Sequence, residues 1–82
     1  VSNPTIVTFY GAQWCGDCRR SRALLDKHGV SFNYVDLEVV EEAAAEVERI
    51  NGGSKSIPTI VFSDGSVLVE PSDAELSAKL GL

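Results

Sequence analysis

The sequence predicts an α/β fold in the order β-α-β-α-β-β-α, a mixed four-stranded sheet flanked by helices. Three observations carry this prediction. A β-branched and aromatic run at residues 5–10 leads, after a short loop, into an amphipathic helical segment. Two short apolar runs, residues 59–62 and 67–69, flank an Asp-Gly hairpin signal at Asp64 and Gly65. Ser72 and Glu75 stand at the spacing of a capping box and open a last helix.

Each element has its own local reason. Residues 5–10 (TIVTFY) are almost continuously apolar, which suits a central strand buried on both faces. Gly11 to Trp14 then form a loop, and a helix is expected over 15–28, with Cys18, Ser21 and Leu25 on one face. Gly29 is placed to end it as a left-handed cap, and His28 sits in its last turn beside the dipole. Residues 31–36 alternate and read as the second strand. A second helix is expected over 40–50, turning Ala44, Val47 and Ile50 inward and Glu41, Glu42, Glu46 and Glu48 outward. Asn51, Gly52 and Gly53 terminate it. Pro58 opens the third strand, the hairpin returns as the fourth, and a helix from Ser72 to Leu80 stops at Gly81. A right-handed crossover makes the first two strands parallel, and the hairpin adds an antiparallel pair.

Length and composition bound the function. With 82 residues the whole chain, residues 1–82, reads as one small domain near the lower limit for a core-stabilised fold, and 44% hydrophobic content is too high for disorder. A net charge of −5 disfavours phosphate backbones, so nucleic acid is not an expected partner. No apolar run approaches the ~20 residues of a membrane span, and Val1, Ser2, Asn3 and Pro4 lead into strand-like sequence without a signal-peptide pattern. The two cysteines are too close together for a multi-bridge secreted framework. A cytoplasmic location and a monomer are therefore expected.

Those two cysteines, Cys15 and Cys18, carry the chemistry. C-x-x-C at a helix start puts both sulfurs on one face, where a disulfide can close. The first lies where the dipole and unpaired backbone N–H groups favour a thiolate, so Cys15 reads as the exposed nucleophile. Cys18, one turn inward, reads as the buried resolving thiol. Asp17 opposes a thiolate at Cys15, whereas Arg19 and Arg20 support it. As a structural disulfide the pair would close too short a loop to contribute much. As a zinc site it lacks ligands, because His28 stands at the far end of the helix.

Tyr10, the block Trp14-Cys15-Gly16-x-Cys18, Asn51-Gly52-Gly53, Ser56-Ile57-Pro58-Thr59, Phe62-x-Asp64-Gly65-Ser66 and Pro71-Ser72 together make the chain resemble the thioredoxin superfamily. Within it the likeness is to glutaredoxin-like redoxins, and among those to mycoredoxins. The resemblance implies a cis Pro58 facing Cys15, with the Ile57 backbone free to pair with an extended substrate; the residues alone also allow a proline that merely starts an edge strand. It implies that Trp14 forms an apolar lip, and that Gly16 and Asp17 join Ile57 and Pro58 in binding substrate. Thioredoxins place a buried acid six positions before the first cysteine; Phe9 stands there instead. Glutathione-binding relatives place Lys at the position of Ala12 and a Gly-Gly pair at Val69 and Glu70. Without that cation, and with an acid added, the implied co-substrate is mycothiol, a small thiol without a carboxylate, rather than glutathione.

The function expected from this likeness is reduction of mixed disulfides between proteins and a small thiol, with no bound cofactor or metal. One alternative is a dithiol redoxin recharged by thioredoxin reductase, donating electrons to a ribonucleotide reductase or similar acceptor. Another is a metal carrier in which two chains share zinc or an iron–sulfur cluster through Cys15. Arg19, Arg20 and Arg22 form either a solvated face or a guide for an anionic partner. The acids at positions 36–48 read as solvated surface.

Overall fold

The computed structural model describes residues 3–82; Val1 and Ser2, the start of the stretch read as free of a leader, lie outside them. The elements are β1 (Ile6–Gly11), α1 (Gly16–Lys27), β2 (Asn33–Asp36), α2 (Ala43–Ile50), β3 (Thr59–Phe62), β4 (Val67–Val69) and α3 (Asp73–Leu80). They form one mixed sheet in the order β2-β1-β3-β4. β1 runs parallel to β2 and antiparallel to β3, and β3 runs antiparallel to β4. The α1 crossover makes the parallel pair possible, since parallel neighbours need a long connection.

The expectation that β1 is buried on both faces needs correction. Ile6 pairs with Phe62 but Thr8 pairs with Val61, so Val7 is an extra residue bulged out of the ladder and half exposed. The bulge shifts the alternation by one residue. Ile6 and Phe9 thereby reach the same face, where they pack with Ile60, Phe62, Leu25 and Leu76 in the main core. Phe9 is fully buried and has Phe32 and Tyr34 against its ring, with centroids 5.5 and 5.8 Å away. Thr8 and Tyr10 face the other way and stay half-buried.

That second face is covered by α2, which is shorter than expected. Residues 40–42 form turns rather than helix, and no side chain caps the first turn at Glu42. The buried positions are Ala43 and Val47, one turn apart; Ala44 and Ile50 are half-buried, so the inward stripe is displaced by one residue from the expected one. Glu46 and Glu48 are half-buried rather than fully outward, paired with Arg49 and Lys55. β2 likewise starts at Asn33, not at residue 31.

The helix ends follow their chemistry. Gly29 takes φ +66° just beyond α1, and Gly81 takes φ +73° at the end of α3, a region in which side chains with a Cβ are strained. Ser72 forms the complete capping box: its hydroxyl accepts the Glu75 N–H at 3.1 Å, and the Glu75 carboxylate accepts the Ser72 N–H at 2.9 Å. α1 and α3 are tied at their N-terminal ends by Arg20, which donates to the Pro71 carbonyl at 3.0 Å and lies 3.4 Å from Asp73.

Candidate active site

Cys15 is the N-cap of α1, with φ −78° and ψ 114°. An extended N-cap folds its side chain back over the open end of the helix, so Cys15 Sγ accepts the backbone N–H of Cys18 at 3.2 Å. That bond satisfies one orphan N–H at the open end of the helix and points its positive end at the sulfur. On the opposite side, Sγ lies 3.9 Å from the Ile57 carbonyl oxygen, which accepts its S–H in the thiol state. The Ile57–Pro58 peptide is cis, as the resemblance implied, and β3 behind it is an inner strand rather than an edge.

One expectation fails at this point. Cys15 is only 8% exposed, enclosed between the helix end and the loop carrying Ile57, so its sulfur is reached through a cleft. The cleft has a volume of about 510 Å³ and is lined by Trp14, Cys15, Gly16, Asp17, Lys55, Ser56, Ile57 and Glu70. Trp14 is 67% exposed and lines the cleft. Pro58 is fully buried behind the cleft, below Ile57.

Cys18 has no exposed surface, and both cysteines are free thiols. Burial, reinforced by the hydrogen bond to Cys15 and the nearby charge of Asp17, pushes the Cys18 thiol up to about 12, against a smaller opposing effect of the Ala12 backbone. Behind it, a Cβ on Gly11 would meet Cys18 Sγ and a Phe9 ring carbon, each at 3.1 Å. A side chain here would make Cys18 or the Phe9 ring give way by a few tenths of an ångström, so glycine gives β1 its easiest passage past the second sulfur.

The arginines divide. Arg20 lies 3.6 Å from Asp17 and bridges to α3, so it serves the fold and offsets Asp17 at once. Arg22 stacks 4.1 Å over the Tyr34 ring, away from the cleft. Ala12 is fully buried, so the position at which glutathione-binding relatives carry lysine is part of the core here. Phe9 occupies the acid position of thioredoxins inside the aromatic cluster. Among the described residues no three His, Cys, Asp or Glu side chains converge as metal ligands, and His28 caps the far end of α1.

Three lining residues, Lys55, Ser56 and Glu70, fall outside the set expected to bind substrate. Lys55 reaches the cleft because it stands two residues before Ile57, a proximity legible in the sequence; its ammonium is 3.5 Å from Glu48. Glu70 follows from hairpin register: Val69 pairs with Thr59, and the Glu70 N–H then donates to the Pro58 carbonyl at 2.9 Å.

The glutaredoxin family profile matches residues 7–68, from the bulge in β1 to the middle of β4. The chain belongs to the glutaredoxin family. A Mycobacterium tuberculosis protein named as a glutaredoxin is 40% identical over 74 residues, covering 90% of this chain and 88% of its own. Mycoredoxin 1 of Corynebacterium glutamicum is 36% identical over 74 residues, 90% of this chain and 91% of its own. The structure of methanoredoxin from Methanosarcina acetivorans superposes with a TM-score of 0.82 at 29% identity, covering 100% of this chain and 90% of its own. As a glutaredoxin-family member the chain is a thiol–disulfide oxidoreductase, acting on disulfides with a low-molecular-weight thiol as co-substrate. Among the described residues no helix is long and apolar enough to cross a membrane.

Proposed function

We propose that this glutaredoxin-family chain releases mycothiol from protein mixed disulfides through Cys15. The observation that supports this most is the asymmetry of the two sulfurs. Cys15 Sγ lines the cleft and holds the Cys18 N–H, whereas Cys18 is sealed and keeps its proton up to about 12. In the first step the Cys15 thiolate attacks the small-thiol sulfur of the mixed disulfide. A Cys15–S–S–mycothiol bond forms, and the protein thiolate leaves and takes a proton from water. A second mycothiol thiolate then attacks that small-thiol sulfur, releasing oxidised mycothiol and regenerating the Cys15 thiolate. The protein sulfur is returned to a thiol, one free mycothiol is consumed and leaves joined to the released one as a disulfide, and Cys18 is spared.

Mycothiol is favoured over glutathione by the charges at the cleft. Ala12 supplies no cation, Lys55 is engaged by Glu48, and Glu70 adds a carboxylate. The 36% identity to mycoredoxin 1 points the same way. In this reading Trp14 is the apolar wall against the small thiol, Gly16 and Asp17 line the helix end, and the Ile57 carbonyl beside Pro58 pairs with the substrate backbone. The chain acts as one domain, monomeric, in the cytosol, where closely spaced thiols stay reduced.

The test is Cys18→Ser assayed on a mycothiolated protein with mycothiol as reductant. At least about a third of wild-type turnover is expected, while Cys15→Ser is inactive. Complete loss in Cys18→Ser contradicts the monothiol route. It would favour the second reading, a dithiol redoxin recharged by thioredoxin reductase, for which the adjacency of Cys18 to Cys15 speaks.

A further inference from the structure

Glu70 combines three features that no structural need explains. It is the sole non-glycine residue with positive φ among those described, at +49°. In that conformation a Cβ is unfavourable, and the proline that follows narrows the choice further. Its backbone is nevertheless held firmly: its N–H donates to the Pro58 carbonyl at 2.9 Å, and the next residue, Pro71, is buried and takes the Arg20 guanidinium on its carbonyl at 3.0 Å. The exposed side chain projects at the cleft that leads to Cys15.

The other charges at the cleft are compensated. Asp17 has Arg20 at 3.6 Å and Lys55 has Glu48 at 3.5 Å. Among the described residues Glu70 has neither a hydrogen-bond nor an ion-pair partner for its carboxylate. An L-residue is thus kept where glycine is cheaper, and what it adds is one unbalanced negative charge at the mouth of the site.

We infer that Glu70 is a charge filter that sets which small thiols reach Cys15, rejecting anionic ones and favouring thiols that carry an ammonium or no charge. The inference rests on the reading of Cys15 as the attacking sulfur. It goes beyond mycothiol by naming a class: aminothiols with a net positive charge are substrates, and the best ones among compounds of equal size. A carboxylate a few ångströms from a bound charge in a wet cleft changes affinity by about three- to tenfold, and added salt screens the effect.

The test uses one cysteine peptide prepared as three mixed disulfides, with cysteamine (cationic), N-acetylcysteinamide (neutral) and glutathione (anionic). With mycothiol as the reductant in every case, their reduction by the wild-type chain is expected to rank cysteamine, then the neutral thiol, then glutathione, each step about three- to tenfold in kcat/KM. Glu70→Gln brings the cysteamine-to-glutathione ratio close to one, Glu70→Lys inverts it, and 0.5 M salt flattens it in the wild type. Asp17→Asn changes the ratio less, because Arg20 already faces Asp17. Glu70→Gly removes the preference without lowering the melting temperature, which separates the filter from a structural role. A ratio that is unchanged in Glu70→Gln, or insensitive to salt, overturns the inference while leaving the oxidoreductase reading intact. If no mixed disulfide is reduced by the wild type, both fall.

Discussion

Cys15 and Cys18 differ by three positions in the chain and by almost everything in their surroundings. One caps a helix and borders a cleft; the other has no exposed surface, and a Cβ on Gly11 of β1 would come within 3.1 Å of its sulfur. The proton on Cys18 therefore stays through neutral pH. In a Cys15→Ser background the burial remains although the Cys15 contribution is gone, so alkylation of native Cys18 is expected to keep rising with pH above 9, checked by mass spectrometry after timed iodoacetamide pulses. The sign for stability follows. The thiol is held up in the folded state, from its ordinary 9.0 to about 12, so its contribution is complete below pH 9 and is lost as pH climbs toward 12. A profile levelling off near pH 9 would mean that Cys18 is not shielded. From the sequence, the place of both sulfurs at the start of a helix was legible, since the C-x-x-C follows directly on a strand and a short loop. The enclosure of Cys15 was not legible, because it depends on the Ile57 loop, 42 residues away in the chain.

At the scale of elements, strong local signals survived folding and weak ones shifted. Ser72 and Glu75 form the capping box their spacing implies, since a cap is made by neighbouring residues and needs nothing distant. Ser72→Ala should cost about 1 kcal/mol, read as a lower midpoint in urea at unchanged slope. Asp64 closes the hairpin in a similarly local way, accepting the Ser66 N–H and hydroxyl at 2.9 and 2.5 Å. By contrast α2, expected from residue 40, begins at Ala43: Val40 N–H bonds to Asp36 in a turn, and no side chain caps the helix start. The alanine-rich segment 43–45 fits a helix with any of several faces inward. The sheet therefore chose Ala43 and Val47.

For the whole molecule, the two faces of the sheet are unequal. The face covered by α1 and α3 holds the main core; the face under α2 buries only Ala43 and Val47 among the helix's residues. Phe9 lies at the centre of the first, so Phe9→Ala should destabilise by about 3–5 kcal/mol. For a chain of this size that is a large part of total stability. Val47→Ala removes only two methyl groups from a thinner layer and should cost less, about 1–2 kcal/mol. Chemical denaturation of both variants checks the ranking; equal losses would mean that α2 covers a core as dense as the other.

The sequence by itself determined the element order, the mixed sheet, the pair of cysteines at the start of a helix and the absence of a lysine at position 12. Each of these is written in nearest neighbours, in periodicity or in the identity of a residue. The tertiary structure alone decided the bulge at Val7, the burial of Cys15 and the presence of Glu70 at the cleft. These depend on strand register and on how a loop from one end of the chain meets a helix from the other. Register is a property of paired strands, and no single strand encodes it.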